Sequence, residues 1–415
     1  MKKSEPIHVF EHGCLTINEV FEKRHLNALL KLNELNNFKY FDSIPNGIKF
    51  NHYVGIIQVE NLVIEILPKA DKDAKDDKWR DNLVEMLQVC RRLKVSTYGD
   101  ADVVKHNYNL LEIYFSIFLN ELSGLIKLGL IKQYRIESSN VNSLKGKLIF
   151  SMNTKENLVH KERFYTEHQV YDKDHTLHQI LNEALIILDQ FTKGTHLYDH
   201  CKRVQFDFPE VGKLRVTKKL LDCFQLSRKT HYYAKAFEIA RIILLNYHPG
   251  ISAGKEKMLA LLFDMNKLWE EFILIKLREA LKDSHSDYEI EGQAQKPFWR
   301  SNSLKPDIVI KKRTTNETIV VIDTKWKQPG NSSASSQDLR QMYAYSRYWN
   351  APKAVLLYPG KPLNYGFDRF KPEDGESPEP GFSCKMAFVD VLNIDGKLDR
   401  ESGKKILKAI EIALL

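Results

Sequence analysis

The chain has 415 residues, with 62 Lys and Arg against 54 Asp and Glu, for a formal net charge of +8; this is enough for two or three domains and favours polyanions without requiring one. It contains no run of about 18 apolar residues, and its opening MKKSEPIHVFEHG lacks a signal-peptide core, so the expectation is a cytoplasmic protein with no membrane partner. Cys14, Cys90, Cys201, Cys223 and Cys384 form no C-x-x-C pair and find no histidine at zinc-site spacing, which leaves free thiols and excludes a disulfide framework.

In chain order, Ile17 to Leu35 places Val20, Phe21, Leu26, Leu29, Leu30 and Leu32 at near-helical spacing. Val54 to Val59 and Leu62 to Leu67 are β-rich runs separated by Glu60-Asn61, a hairpin whose role is architectural or partner-docking. The charge run Asp71 to Asp81 leads into LVEMLQVCRRL, where acidic residues suit a helix's first turns. Tyr108 to Leu130 reads as a buried helix with Tyr114, Phe115 and Phe118 in the core. Lys132 to Phe150 turns polar and β-compatible, and Lys145-Gly146-Lys147 is either a contact to phosphate or partner, or an exposed turn.

Leu177 to Phe191 and Ala234 to Tyr247 read as helices. His168, His175, His178, His196, His200 and His231 fall around them without ligand spacing, so surface or capping positions are expected. His248-Pro249-Gly250 marks a break. The GISAGKE that follows departs from a Walker A loop in its glycine spacing and in Glu256, so any nucleotide hydrolysis belongs to another subunit.

Met258 to Leu281 is predicted as one long helix carrying Glu270 and Glu271. Lys305 to Lys327, KPDIVIKKRTTNETIVVIDTKWK, then reads as a hairpin turning near Thr315, which sets Asp307 and Asp323 opposite each other. Alternation puts Asp323 and Lys325 on one face and turns Thr324 to the other, leaving its carbonyl near the pocket. Two close carboxylates repel unless a cation or proton intervenes, and Mg²⁺ suits hard oxygen ligands. The ammonium of Lys325 then orients or helps deprotonate an attacking water, or offsets charge on a phosphate; the reaction class is phosphodiester hydrolysis.

Beyond a loop at Pro329 to Gln337, a helix from Asp338 carries Gln341 and Tyr345 on one face. Ala354 to Tyr358 and Met386 to Leu392 read as third and fourth strands, Lys371 to Gly381 as an acidic proline-rich loop, and Lys404 to Leu414 as an amphipathic helix.

Pro306-Asp307 followed by Asp323-Thr324-Lys325 resembles the signature of the PD-(D/E)XK nuclease superfamily. Together with DMNKLWEEFI (Asp264 to Ile273), DLRQMYAY (Asp338 to Tyr345), VGIIQVENLVIEILPKA (Val54 to Ala70) and SLKGKLIF (Ser143 to Phe150), it resembles the McrC-type nuclease subunits of McrBC-like restriction systems. That resemblance implies an α/β multidomain chain: a β-containing docking region over 1–150, a helical middle over 151–250, and a nuclease domain over 251–415 with a mixed sheet flanked by helices. It implies catalytic Asp307, Asp323, Lys325, Glu270 and Gln341, with Mg²⁺ held by Asp307, Asp323, Thr324 and Glu270. DNA is the implied substrate, and the implied partner is an AAA+ GTPase oligomer of the McrB type, which binds GTP and is stimulated by the amino-terminal region. Two other readings stand beside it: an activating subunit with a silent nuclease site, and a stand-alone structure-specific nuclease.

Overall fold

The computed structural model describes residues 6–68, 76–90, 109–248, 257–283, 287–327, 329, 333–363, 365–371, 381–393 and 395–412. The first part of the Asp71 to Asp81 charge run, the break at Pro249-Gly250, the GISAGKE segment and most of the Lys371 to Gly381 loop lie outside the described residues, as does part of the loop before Gln337. Two compact units interleave along the sequence: one comprises Met1–Glu5, Ile57–Val63 and Tyr98–Leu261, the other Pro6–Ile56, Ile64–Thr97 and Leu262–Leu415.

The amino-terminal elements are β1 (Ile7–Phe10), β2 (Cys14–Thr16), α1 (Lys23–Leu35), β3 (Phe41–Ile44), β4 (Gly47–Phe50), β5 (Tyr53–Val59), β6 (Leu62–Leu67) and α2 (Asp76–Val89). Helix α1 starts six residues later than its apolar spacing suggests. Asn18 Oδ1 accepts the N–H groups of Val20 (2.9 Å) and Phe21 (2.7 Å), a local turn that competes with helix. Strands β5 and β6 form the expected hairpin, with Glu60 at φ +50° in its turn. Both strands are almost wholly buried, which is why they read as continuous apolar runs and not as alternation.

The first unit contains α3 (Leu110–Leu128), β7 (Gln133–Val141), β8 (Lys147–Leu148), α4 (Phe150–Glu156), β9 (Phe164–Asp172), α5 (Thr176–Thr192), α6 (Tyr198–Asp207), α7 (Lys218–Cys223), α8 (Ala234–Asn246) and β10 (Tyr247–His248). Asn109 and Glu112 close a reciprocal capping box on α3: Asn109 Oδ1 accepts the Glu112 N–H at 2.9 Å, and Glu112 Oε2 accepts the Asn109 N–H at 3.1 Å. Tyr114, Phe115 and Phe118 are buried in it as expected. Strands β7 and β9 pair antiparallel over their whole length, Gln133 opposite Asp172 and Val141 opposite Phe164. Gly146 holds φ +72°, and a Cβ there would run into the Glu167 carbonyl, so this glycine serves a close approach.

The histidine expectation needs correction in this unit. His168 and His178 are buried, not at the surface, while His175, also buried, takes the N-cap position of α5, as the capping alternative allows. His178 Nδ1 lies 2.7 Å from the Lys173 carbonyl and its Nε2 lies 3.2 Å from the Tyr233 hydroxyl, so both ring nitrogens are engaged inside the core. Burial first, then the neighbouring His175, pushes its pKa down to about 4.

The remaining elements are β11 (Met258–Asp264), α9 (Met265–Asp283), β12 (Tyr288–Gly292), β13 (Lys296–Trp299), β14 (Asn302–Leu304), β15 (Ile308–Lys312), β16 (Thr318–Thr324), α10 (Ser336–Trp349), β17 (Lys353–Pro359), β18 (Asp368–Arg369), β19 (Ser383–Val389) and α11 (Ser402–Ala409). The single helix expected from Met258 is therefore a strand followed by a helix. MLALLFD is a short apolar run whose period does not separate strand from helix. Asp264 then opens α9, its Oδ1 accepting the N–H groups of Asn266 (3.1 Å) and Lys267 (3.4 Å).

In the second unit a six-stranded mixed sheet runs in the order β12-β15-β16-β17-β19-β18. The β15–β16 pair is antiparallel, while β16–β17 and β17–β19 are parallel. Helix α10 covers one face, packing Met342, Tyr345 and Trp349 with Val309, Val321, Ala354, Leu356 and Tyr358. The α10 helix begins at Ser335, whose Oγ accepts the Asp338 N–H at 3.1 Å, and stops at Asn350 in the left-handed region, φ +49°.

Candidate active site

The β15–β16 register places Ile308 opposite Ile322, Val309 opposite Val321 and Ile310 opposite Val320, before a bulge near the turn. Carried one residue outward, it sets Asp307 across from Asp323 at the end of the pair, as the symmetry about Thr315 predicts. Asp323 is buried. Lys325 Nζ forms an ion pair with Asp323 Oδ2 at 2.7 Å. It also donates to Gln341 Oε1 at 3.3 Å, and Asp338 Oδ1 stands 3.7 Å away.

Thr324 does more than alternation suggested. Its backbone N–H and its Oγ1 both donate to Asp307 Oδ2, at 2.6 and 2.8 Å. Asp307 precedes the first residue of β15, so strand alternation does not govern where its carboxyl lies. Gln341 reaches the group from α10: its Nε2 donates to the Tyr345 hydroxyl at 2.7 Å and lies 3.5 Å from Asp323 Oδ1. The Tyr345 hydroxyl in turn donates to the Lys305 carbonyl at 3.0 Å, tying the helix to the residues just before Asp307.

Glu270, on α9, joins through Gln293, whose Nε2 donates to Glu270 Oε1 at 2.5 Å and whose Oε1 accepts from Lys305 Nζ at 2.7 Å. The three acids affect one another. Burial, then the charge of Asp307, raises the Asp323 carboxyl to about 6 against the opposing pull of Lys325. Burial and Glu270 raise Asp307, offset in part by the Thr324 hydrogen bonds. Burial raises Glu270, with Gln293 and Lys305 opposing and Asp323 adding to the rise. Burial works against the Lys325 ammonium, yet Asp323, Asp338 and Asp307 outweigh it, and its pKa ends above the ordinary value. The result is a pocket of under-compensated carboxylates beside one retained positive charge.

The sequence profile of the McrBC 5-methylcytosine restriction system component family matches residues 48–359, three quarters of the chain. The chain belongs to that family. No curated protein matches it. The McrBC-family fold is similar to a chain in the refined half-complex from the tetradecameric assembly of Thermococcus gammatolerans McrB AAA+ hexamers with bound McrC. The TM-score is 0.70 at 20% identity, over 98% of this chain and 99% of that one. It is also similar to a chain of the cryo-EM structure of the Thermococcus gammatolerans McrBC complex, with a TM-score of 0.50 and 22% identity over 66% and 88%. Among the described residues no helix is long and apolar enough to cross a membrane.

In this McrBC-family chain, Asp323 and Thr324 end β16 with Lys325 just beyond it, Asp307 directly precedes β15, and Gln341 and Glu270 reach toward them from α10 and α9. Several neighbours escaped the sequence reading. Gln293 and Lys305 connect Glu270 to the pocket. Asp338 takes the charge of Lys327 at 2.8 Å as well as facing Lys325; the Lys-x-Lys spacing before an acid-led helix was its only signal. Trp326 Nε1 donates to the buried Glu11 Oε1 at 2.6 Å, a pairing across 315 residues that no local pattern announces.

Proposed function

We propose that the chain is the Mg²⁺-dependent endonuclease subunit of a modification-dependent restriction complex, cutting DNA alongside an AAA+ GTPase of the McrB type. The observation that carries this reading is the buried Asp323, opposed by Asp307 and paired with Lys325 at 2.7 Å. The donor set fits a hard divalent cation. Asp307 and Asp323 offer oxygen; burial first, then a neighbouring carboxylate (Glu270 for Asp307, Asp307 for Asp323), raises both pKa values, a cost that an adjacent double charge would relieve. Asp307, Asp323 and Glu270 do not form a three-ligand group among the described residues, so Asp307 and Asp323 would hold the ion with further positions falling to water and substrate oxygens, as Mg²⁺ prefers.

When bound, Mg²⁺ would supply Lewis-acid polarisation of the phosphate and lower the pKa of water. The chain's own groups supply the rest. Lys325, kept protonated by Asp323, Asp338 and Asp307, is a donor toward a phosphate oxygen and a poor base at neutral pH. Thr324 fixes Asp307, and Gln341 spans Lys325, Tyr345 and Asp323, which holds α10 in register with the strand end. Glu270 sits at the pocket's margin as a further acceptor for water.

The solved assemblies join McrC with McrB AAA+ hexamers; a docking partner of that kind is what we propose for this chain, with GTP bound by the partner. Exposed Tyr134, Ile136, Leu144 and Phe150 around the β7–β9 ribbon support a protein-docking role for that part of the first unit. The test is cleavage of methylated plasmid by the chain with its motor partner, GTP and Mg²⁺. Cutting is expected with the native chain and lost on chelation or in Asp323→Ala. A native chain that stimulates GTP turnover and never cuts would establish the activating-subunit reading instead.

A further inference from the structure

Within the second unit, strands β13 and β14 form a two-stranded hairpin separate from the main sheet. Its base is fixed at both ends by groups of the acid pocket: the Gln293 side chain donates to Glu270 and its backbone N–H donates to the Asp307 carbonyl at 2.8 Å, and Lys305 donates to Gln293. One side of the hairpin is anchored to α10. Lys296 Nζ donates to the Tyr348 carbonyl at 2.7 Å, and Phe298 meets the Tyr348 ring edge-on at 5.5 Å.

The tip is different. Trp299 is 57% exposed, although burial of an indole is strongly favoured. The Arg300 guanidinium lies over its ring at 4.5 Å, making one exposed surface that is both aromatic and cationic. The pairing of Trp299 with Asn302 leaves Arg300-Ser301 as a two-residue loop, after an irregularity between Pro297 and Trp299. Arg300 holds φ +50°, a position where such loops favour Asn or Gly. A strained backbone and an exposed indole at the end of a small ribbon are each unfavourable for the isolated chain, and the Arg300 cation beside them has no ion pair among the described residues. All three are explained by a ligand that offers planar bases and phosphates.

Resting on the nuclease reading above, we infer that the β13–β14 hairpin is a DNA-contacting finger, with Arg300 on the backbone phosphate and Trp299 against a base or sugar next to the scissile bond. The hairpin thereby sets how the strand enters the acid pocket. DNA is favoured over a protein partner because a base–aromatic face and a phosphate–guanidinium contact need the two groups that share this tip.

The test uses the full-length chain, a short fluorescent duplex, and Ca²⁺ in place of Mg²⁺ for binding, followed by Mg²⁺, GTP and the motor partner for cutting. Trp299→Ala is expected to weaken binding about tenfold. Arg300→Asn, which suits the left-handed loop position, is expected to weaken it similarly and to lower the slope of log Kd against log salt by about 1. Cutting at subsaturating DNA should fall by the same factor as binding, since the tip sets how the strand enters the acid pocket. If both variants bind like the native chain while the native chain cuts, the finger is refuted and the nuclease reading stands. If the variants change only the partner's GTP turnover, the tip is a protein contact and the inference also fails. A native chain that binds through Trp299 and Arg300 yet never cuts supports the finger and refutes the nuclease.

Discussion

The Asp323 carboxyl is costly to the folded chain, and that cost is measurable apart from any activity. Its folded pKa of about 6 lies above the ordinary 3.8, so the fold favours the protonated acid. Stability therefore falls as pH rises from about 3.8 through about 6 and stays lower above it. Asp323→Asn removes the charge without changing the shape. It is expected to stabilise the chain at pH 7 by about 1–3 kcal/mol while abolishing cutting, as functional sites commonly trade stability for chemistry. Thermal unfolding of the variant in chelator checks this; a lowered melting temperature would mean that the Lys325 ion pair outweighs the repulsion from Asp307. Lys325→Ala should reduce cleavage by roughly 10²–10⁴-fold, read as single-turnover rate at saturating DNA. His178 has the opposite sign. Its pKa falls from 6.5 to about 4 in the fold, so its neutral ring stabilises fully above about 6.5, and that contribution is lost as pH drops through about 4. His178→Gln should flatten the stability profile between those limits, by roughly 3 kcal/mol at most.

Among elements, the β15–β16 hairpin was readable because β-branched runs flank a short polar turn, and pairing about Thr315 leaves one register in which the apolar residues share a face. The observed pairs, Ile308 with Ile322 and Val309 with Val321, follow it. The β11–α9 boundary was not readable. MLALLFD runs into MNKLWEEF without glycine or proline, and only the buried strand and the Asp264 cap separate them. The buried histidines failed for a related reason, since burial depends on α5 meeting Phe208 and Tyr233 and not on local polarity. Element packing also gives a direct test. A Cβ on Gly403 would run into the Lys276 carbonyl, so α11 lies against the backbone of α9. Gly403→Ala is expected to cost about 1–3 kcal/mol, measured by denaturant unfolding; an unchanged midpoint would mean that the two helices can separate freely.

At the scale of the whole chain, the sequence was most legible where chemistry and local pattern coincide, at Asp307, Asp323 and Lys325, and least legible where distant segments meet. Glu11 and Trp326 illustrate the second case. The indole follows Lys325 directly, and its N–H is held by a carboxylate 315 residues away, so a residue near the amino end supports the strand end that carries the pocket. The interleaving of the two compact units is likewise a property of long-range contacts, with Pro6–Ile56 placed in the same unit as Leu262–Leu415. We propose that this one pocket cuts DNA while a separate part of the chain engages the motor. The measurement that tests it most directly follows single-turnover cleavage and GTP turnover together, with the motor partner and Mg²⁺, for the native chain, Asp323→Ala and Lys325→Ala. Both variants are expected to stop cutting and still stimulate GTP turnover, as that division of labour requires. Cutting that persists in both variants would contradict it.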